Sequence, residues 1–157
     1  MLAKADIELY MALALEQAQL AFAEDEIPIG CVLLHHHALV AREHNRTRAL
    51  ADPLAHCESL AIHKALALFP DTLVRDMVLI TTLEPCLMCS GMVLLAKLKE
   101  VHFGIPEPKT GAVRSLYHLF DDPRLNHRPT YSWGYRERDI RCLMQRFFQS
   151  RRKRPDA

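Results

Sequence analysis

His56-Cys57-Glu58 and the downstream run Pro85-Cys86-Leu87-Met88-Cys89 are the residues best equipped for chemistry. One imidazole and two thiolates balance the charge of Zn²⁺ and leave a fourth tetrahedral position to water. Zinc can bring the pKa of such a water to about 7, which makes hydroxide available at neutral pH. Glu58, two residues from His56, is placed to move protons for that water. A closed structural site would need a fourth protein ligand. Cys57 is the obvious one, yet as the neighbour of His56 it should point roughly 100° around a helix. The residues therefore predict an open site, with His56, Cys86 and Cys89 as ligands of one zinc per chain and Glu58 as the catalytic proton carrier.

These groups must be carried on elements that bring them together. Apolar spacing predicts a helix over 7–24, with Asp6 as a possible N-cap. Pro28 and Gly30 break it, and 29–34 and 38–43 read as two strands around a short turn. A helix follows over 55–68, ending near Pro70. The run 77–83 is a buried strand, 86–97 a helix with Pro85 near its N1 position, and 101–105 another strand. Residues 106–129 read mostly as loop with a helical stretch around 115–120, and 137–152 as a terminal helix. This order predicts an α/β layered domain around a mixed sheet. Both halves of the metal motif fall at helix starts, where outward N–H groups and the positive dipole end stabilise thiolates.

The 157 residues, half apolar and a quarter charged, fit one soluble domain spanning 1–157. Acids at Asp6 and Glu8 argue against a secretory signal, and the uncharged run 86–96 is too short to span a bilayer. A cytoplasmic protein with no membrane partner is expected. Five cysteines, an odd number, disfavour a disulfide framework. Only Cys86 and Cys89 have ligand spacing; Cys31 and Cys142 read as packing residues. The net charge of +1 hides an asymmetry: residues 124–154 carry ten of the twenty Lys and Arg but only two acids, Glu137 and Asp139. A basic helix over about 137–154 suggests a polyanionic partner, against the plainer reading of a solvated tail.

The order His-x-Glu followed by Pro-Cys-x-x-Cys is a general zinc-deaminase signature. Further segments narrow it. Glu26-Ile27-Pro28-Ile29-Gly30, Asn45-Arg46, Asp52-Pro53-Leu54-Ala55-His56 and Thr82-Leu83-Glu84-Pro85 resemble the bacterial tRNA-specific adenosine deaminases. So do Phe103-Gly104, Lys109-Thr110-Gly111-Ala112, Ser115-Leu116, Asn126-His127-Arg128 and Phe147-Phe148. The similarity runs in order along nearly the whole chain.

That resemblance implies a cytidine-deaminase-like, three-layer α/β/α sandwich with a five-stranded mixed sheet, and a homodimer. It implies hydrolytic conversion of the wobble adenosine of a tRNA anticodon to inosine, with the base flipped into a closed pocket. By matched position Asn45 would hydrogen-bond the base. Ile27 and Leu83 would be apolar walls, and the backbone at Ala55 would help read the base edge. The terminal helix would contact the anticodon stem-loop: Arg151, Arg152, Lys153 and Arg154 on phosphates, with one of Phe147 and Phe148 in the core and the other, Phe148, free to stack.

The chain departs from the family at Cys57, usually alanine, at Leu54, usually threonine, and at Thr47, usually proline. Glu107 stands where aspartate is expected; it either approaches the substrate ribose or is a solvent-exposed loop acid. His35-His36-His37 reads as a solvated turn, since adjacent side chains do not converge on a metal. Residues 131–135, with the one Trp and two of the four Tyr, could be a dimer contact, an RNA contact or an edge strand packing its rings. Two rival functions stand beside the favoured one. A deaminase of a free base or nucleoside, such as guanine or cytosine, would not need the basic terminus. A non-catalytic zinc-stabilised RNA-binding domain would not need Glu58.

Overall fold

The computed structural model describes residues 1–69 and 75–152. Pro70, Lys153 and Arg154 lie outside them. The elements are α1 (Lys4–Ala23), β1 (Gly30–His35), β2 (Ala38–His44), α2 (Cys57–Leu68), β3 (Met77–Leu83), α3 (Leu87–Ala96), β4 (Glu100–Ile105), a 3₁₀ turn (Leu119–Asp121), β5 (Thr130–Trp133) and α4 (Glu137–Arg152). The five strands form one sheet in the order β2-β1-β3-β4-β5. β1 pairs antiparallel with both β2 and β3, whereas β3-β4 and β4-β5 are parallel. The sheet is mixed, as expected.

Alternation along the strands divides the core in two. Cys31 and Leu33 of β1 and Met77 and Leu79 of β3 pack with Ala61, Ile62 and Ala65 of α2 and Val93 of α3. Val32, Leu34, Val78 and Ile80 face the other way, against Met11, Ala14 and Ala18 of α1 and Ile140 and Leu143 of α4. Helices thus cover both faces, giving the three-layer α/β/α sandwich. Gly30 is where α1 lies closest: a Cβ there would sit 2.3 Å from the Ala14 carbonyl oxygen.

Several local expectations are corrected. Ala3, not Asp6, is the N-cap of α1. Asp6 lies in the first turn, where an acid is favoured by the dipole anyway. Pro85 precedes the α3 N-cap, Cys86, rather than following it. The helix expected around 115–120 is replaced by turns and the short 119–121 element, because the Arg114 and Ser115 N–H groups bond to the Glu84 carboxylate. Cys142 is exposed. The buried stripe of α4 is Ile140, Leu143 and Phe147, and position 142 lies off it.

His36 and His37 form a two-residue hairpin turn, both with positive φ (47° and 65°). They belong to no metal-competent group among the described residues. Residues 130–133 are an edge strand whose rings pack in a row: Phe120 on Tyr131, Tyr131 on Trp133 and Trp133 on Phe103. Among the described residues no helix is long and apolar enough to cross a membrane.

Candidate active site

His56 and Cys86 are both N-cap residues, of α2 and α3, each in extended backbone conformation. Cys89 lies one turn into α3 and is fully buried. The His56 Nδ1 is 3.6 Å from the Sγ of Cys86 and 3.6 Å from that of Cys89. Zn–N of about 2.0–2.1 Å and Zn–S of about 2.3 Å at a tetrahedral angle place N and S about 3.6 Å apart, so this donor set fits zinc without rearrangement. It is the only group of three or more such donors among the described residues.

The electrostatics agree. A hydrogen bond from Cys89, with a further one from His56, holds the Cys86 thiol down at about 4. The Cys89 thiol is pushed up by the Cys86 sulfur it faces. The Cys86 contact also raises His56. A dication seated among the three would let both sulfurs ionise.

Glu58 is in the first turn of α2 and buried. Burial raises its carboxyl above the usual range, against smaller opposing effects that include a hydrogen bond from Cys57. A carboxyl poised this way exchanges a proton more readily near neutral pH than an exposed one. Cys57 is no metal ligand. Its Sγ donates to Glu58 Oε2 at 3.3 Å and approaches Thr81 Oγ1, on the core side of the helix. Burial drives its thiol well up, so it stays protonated and donates.

A cavity of about 860 Å³ opens over this cluster, lined by His56 itself. Ile27, Asn45, Leu83, Glu107 and Phe148, all named from sequence, line it too, with Thr47, Lys109 and Met144. Asn45 is buried, and its Oδ1 accepts the Cys57 N–H at 2.9 Å. That bond caps α2 and fixes the amide orientation, because only the oxygen can accept. The amide nitrogen is left towards the cavity. Ala55 is not a lining residue; its backbone is buried, with N–H to Asp52 and carbonyl accepting from Arg46. Glu107 takes the Lys109 N–H on its own carboxylate, in an exposed stretch of loop.

Two residues that carried no role in the sequence organise the rims. Glu26 accepts the N–H groups of Arg48 and Ala49, both at 2.8 Å, and the Thr47 hydroxyl. Glu84 accepts the N–H groups of Glu107, Arg114 and Ser115 and the Ser115 hydroxyl. Burial alone would raise the Glu84 carboxyl; these donors outweigh it and bring the pKa below normal. Their sequence signal was their place in two of the matched segments, one residue from Ile27 and Leu83.

On α4, Phe147 packs edge-on against Phe22 and is buried, whereas Phe148 is exposed at the cavity. Arg151 is held intramolecularly: it donates to Asp25 Oδ1 at 2.9 Å and to the Asp25 carbonyl at 2.8 Å. Arg152 is exposed and lines a neighbouring cleft with Lys109 and Phe148. The structure thus places His56, Asn45, Ile27, Leu83, Glu107 and Phe148 on one cavity, with Cys86 and Cys89 against His56 and Glu58 buried two residues on, and sets Ala55, Arg151 and Arg152 outside its lining.

The cytidine and deoxycytidylate deaminase zinc-binding region matches residues 4–105. A tRNA-specific adenosine deaminase of Streptococcus pyogenes serotype M1 is 37% identical over 145 residues, covering 92% of this chain and 85% of that protein. One from Aquifex aeolicus is 33% identical over 145 residues, covering 92% and 95%. A solved structure from a study of A-to-I editing by tRNA:A34 deaminases at the wobble position of transfer RNA superposes with a TM-score of 0.82. It is 36% identical and covers 86% of this chain and 98% of that one.

Proposed function

Since the chain belongs to the tRNA-specific adenosine deaminases, within the cytidine and deoxycytidylate deaminase zinc-binding family, we propose that it hydrolyses the wobble adenosine of a tRNA anticodon to inosine and ammonia. The observation that carries this reading is a zinc-fitting His-Cys-Cys set whose His56 lines a cavity with the Asn45 amide on its wall, and a buried glutamate two residues from that histidine. His56, Cys86 and Cys89 hold the zinc, which supplies Lewis-acid activation of the attacking water when bound. Glu58 takes one proton from that water and delivers it to the base ring nitrogen, then takes the second from the hydroxyl now on the base and delivers it to the departing amine. Asn45 donates its amide N–H to an acceptor on the base, a position fixed by its bond to the Cys57 N–H. Ile27 and Leu83 enclose the flipped base and Phe148 offers a ring on which a neighbouring base stacks, while the Ala55 backbone helps read the base edge. Arg152 meets phosphate directly. Arg151 does so only by leaving Asp25, and Glu107 faces the ribose from the rim.

The work is done by a single domain, in the cytoplasm, where its tRNA substrate is. Incubating the zinc form with an anticodon stem-loop that carries a wobble adenosine should produce inosine, with free adenosine, cytidine and guanine turned over poorly. Rapid guanine deamination beside an inert stem-loop would overturn the assignment. Stem-loop binding that never releases ammonia would favour a binding module instead.

The same proposal includes a homodimer. Leu87 and Leu95, 51% and 83% exposed, lie along one face of α3. Gly91 lies between them with nothing within 4 Å of where its Cβ would be. Leu116 and Tyr117 are exposed on the turn joined to α3 through the Cys86–Gly111 bridge. A patch of this kind matches a self-complementary contact with a second copy. Leu95→Arg is expected to shift the sedimentation of the protein from dimer to monomer. A wild-type chain that sediments as a monomer at every concentration removes the dimer from the proposal.

A further inference from the structure

The cavity has two rims made of irregular chain, and each is tied to the fold by one buried carboxylate. The first rim contributes Thr47, Ala51 and Pro53 to the lining. Its N–H groups at Arg48 and Ala49 and its Thr47 hydroxyl all end on Glu26, which is 1% exposed. The second contributes Glu107, Pro108, Lys109 and Thr110. It ends on Glu84, 2% exposed, through three N–H groups and the Ser115 hydroxyl. Neither carboxylate lines the cavity.

Each, however, adjoins a wall residue in the chain, Ile27 beside Glu26 and Leu83 beside Glu84, so wall and rim are located by the same backbone. Glu84 also connects its rim to the metal ligands. Pro85 accepts the Ala112 N–H, and Cys86 bridges Gly111. Gly111 is required for this approach: a Cβ there would lie 2.5 Å from the Glu84 carboxylate.

A loop of twelve or thirteen residues outside helix and strand, as 45–56 and 106–118 are, has many conformations of similar energy. Three or four charge-assisted hydrogen bonds converging on one buried acceptor select one of them. Neutral side chains cannot replace that acceptor, because an amide has one oxygen and turns its own N–H groups against the loop donors. We infer that Glu26 and Glu84 are positioning residues that set the two rims of the cavity and thereby its affinity for the RNA around the reacting base. This rests on the deaminase reading, but the residues act on the loops and touch neither substrate nor metal.

The expected signature is a loss of binding shared by ground state and transition state. Glu26→Gln and Glu84→Gln should each raise KM for the adenosine-containing stem-loop roughly tenfold or more, with kcat changed less than about threefold and one zinc per chain retained. In a Glu58→Ala background, the stem-loop Kd measured by fluorescence anisotropy should rise by a similar factor. Ser115→Ala and Thr47→Val keep both carboxylates and remove one donor each; they should shift KM in the same direction by less. Unchanged KM and Kd in both glutamine variants would overturn the inference. So would a fall in kcat with zinc loss and unaltered KM, which would make Glu84 a support of the metal alone. If the wild-type chain binds the stem-loop without turning it over, the deaminase reading fails. The anisotropy series then still decides the rim assignment.

Discussion

Replacing Glu58 with alanine is expected to lower kcat on a wobble-adenosine stem-loop by about 10²–10⁴-fold, the range typical of a lost general acid–base group. Zinc content should stay at one per chain, because His56, Cys86 and Cys89 are all intact. The size follows from the chemistry. Removing the amine takes both protons off water and puts one on the ring and one on the leaving group. One carboxyl, two residues from His56, is buried and lifted in pKa by that burial. KM should move little, since the carboxyl contributes to the transition state rather than to docking of the stem-loop. Metal analysis and single-turnover inosine formation on the same preparation check this. A variant with wild-type turnover would strip Glu58 of its role.

Much of this centre was legible in the sequence because its geometry is local. An i, i+3 pair of cysteines at a helix start converges wherever the helix goes, whereas His56 joins them from thirty residues upstream and was legible only through the His-x-Glu and Pro-Cys-x-x-Cys motif. The strands were legible for a similar reason: β1 and β3 are buried on both faces and read as continuous apolar runs. What was not legible depends on distant partners. Glu26 and Glu84 have the composition of surface acids, and only the loops folding back on them reveal buried acceptors. The stretch 115–120 looked helical because the competing acceptor of its first N–H groups lies thirty residues upstream. Arg151 read as a phosphate contact, as any terminal arginine would; its bond to Asp25 spans 126 residues. Cys57 lay between metal and core in sequence terms, and only the packed helix shows its thiol turned to Glu58 and Thr81.

Cys86→Ala should silence the enzyme as fully as Glu58→Ala, but by a different route. It removes a thiolate held at about 4, and with it one of the three zinc donors. Two remaining ligands cannot hold zinc at ordinary free concentrations, so metal content and turnover should fall together. Cys57 does not substitute, because its Sγ is committed to Glu58 on the other side of the α2 start. Stability should fall as well. The site joins the first turns of α2 and α3, and a ligand bound only by the folded chain contributes about 4 kcal/mol when present at a thousand times its Kd. For a chain of this length that corresponds to a drop in Tm of roughly 8–16 °C. Chelation of the wild-type protein should reproduce both losses, and added zinc should reverse them there and leave Cys86→Ala inactive. The two silent variants are then told apart by metal content and Tm: both near wild type in Glu58→Ala, both reduced in Cys86→Ala. A Cys86→Ala protein that keeps its zinc and its turnover would remove Cys86 from the ligand set and the open three-ligand site with it.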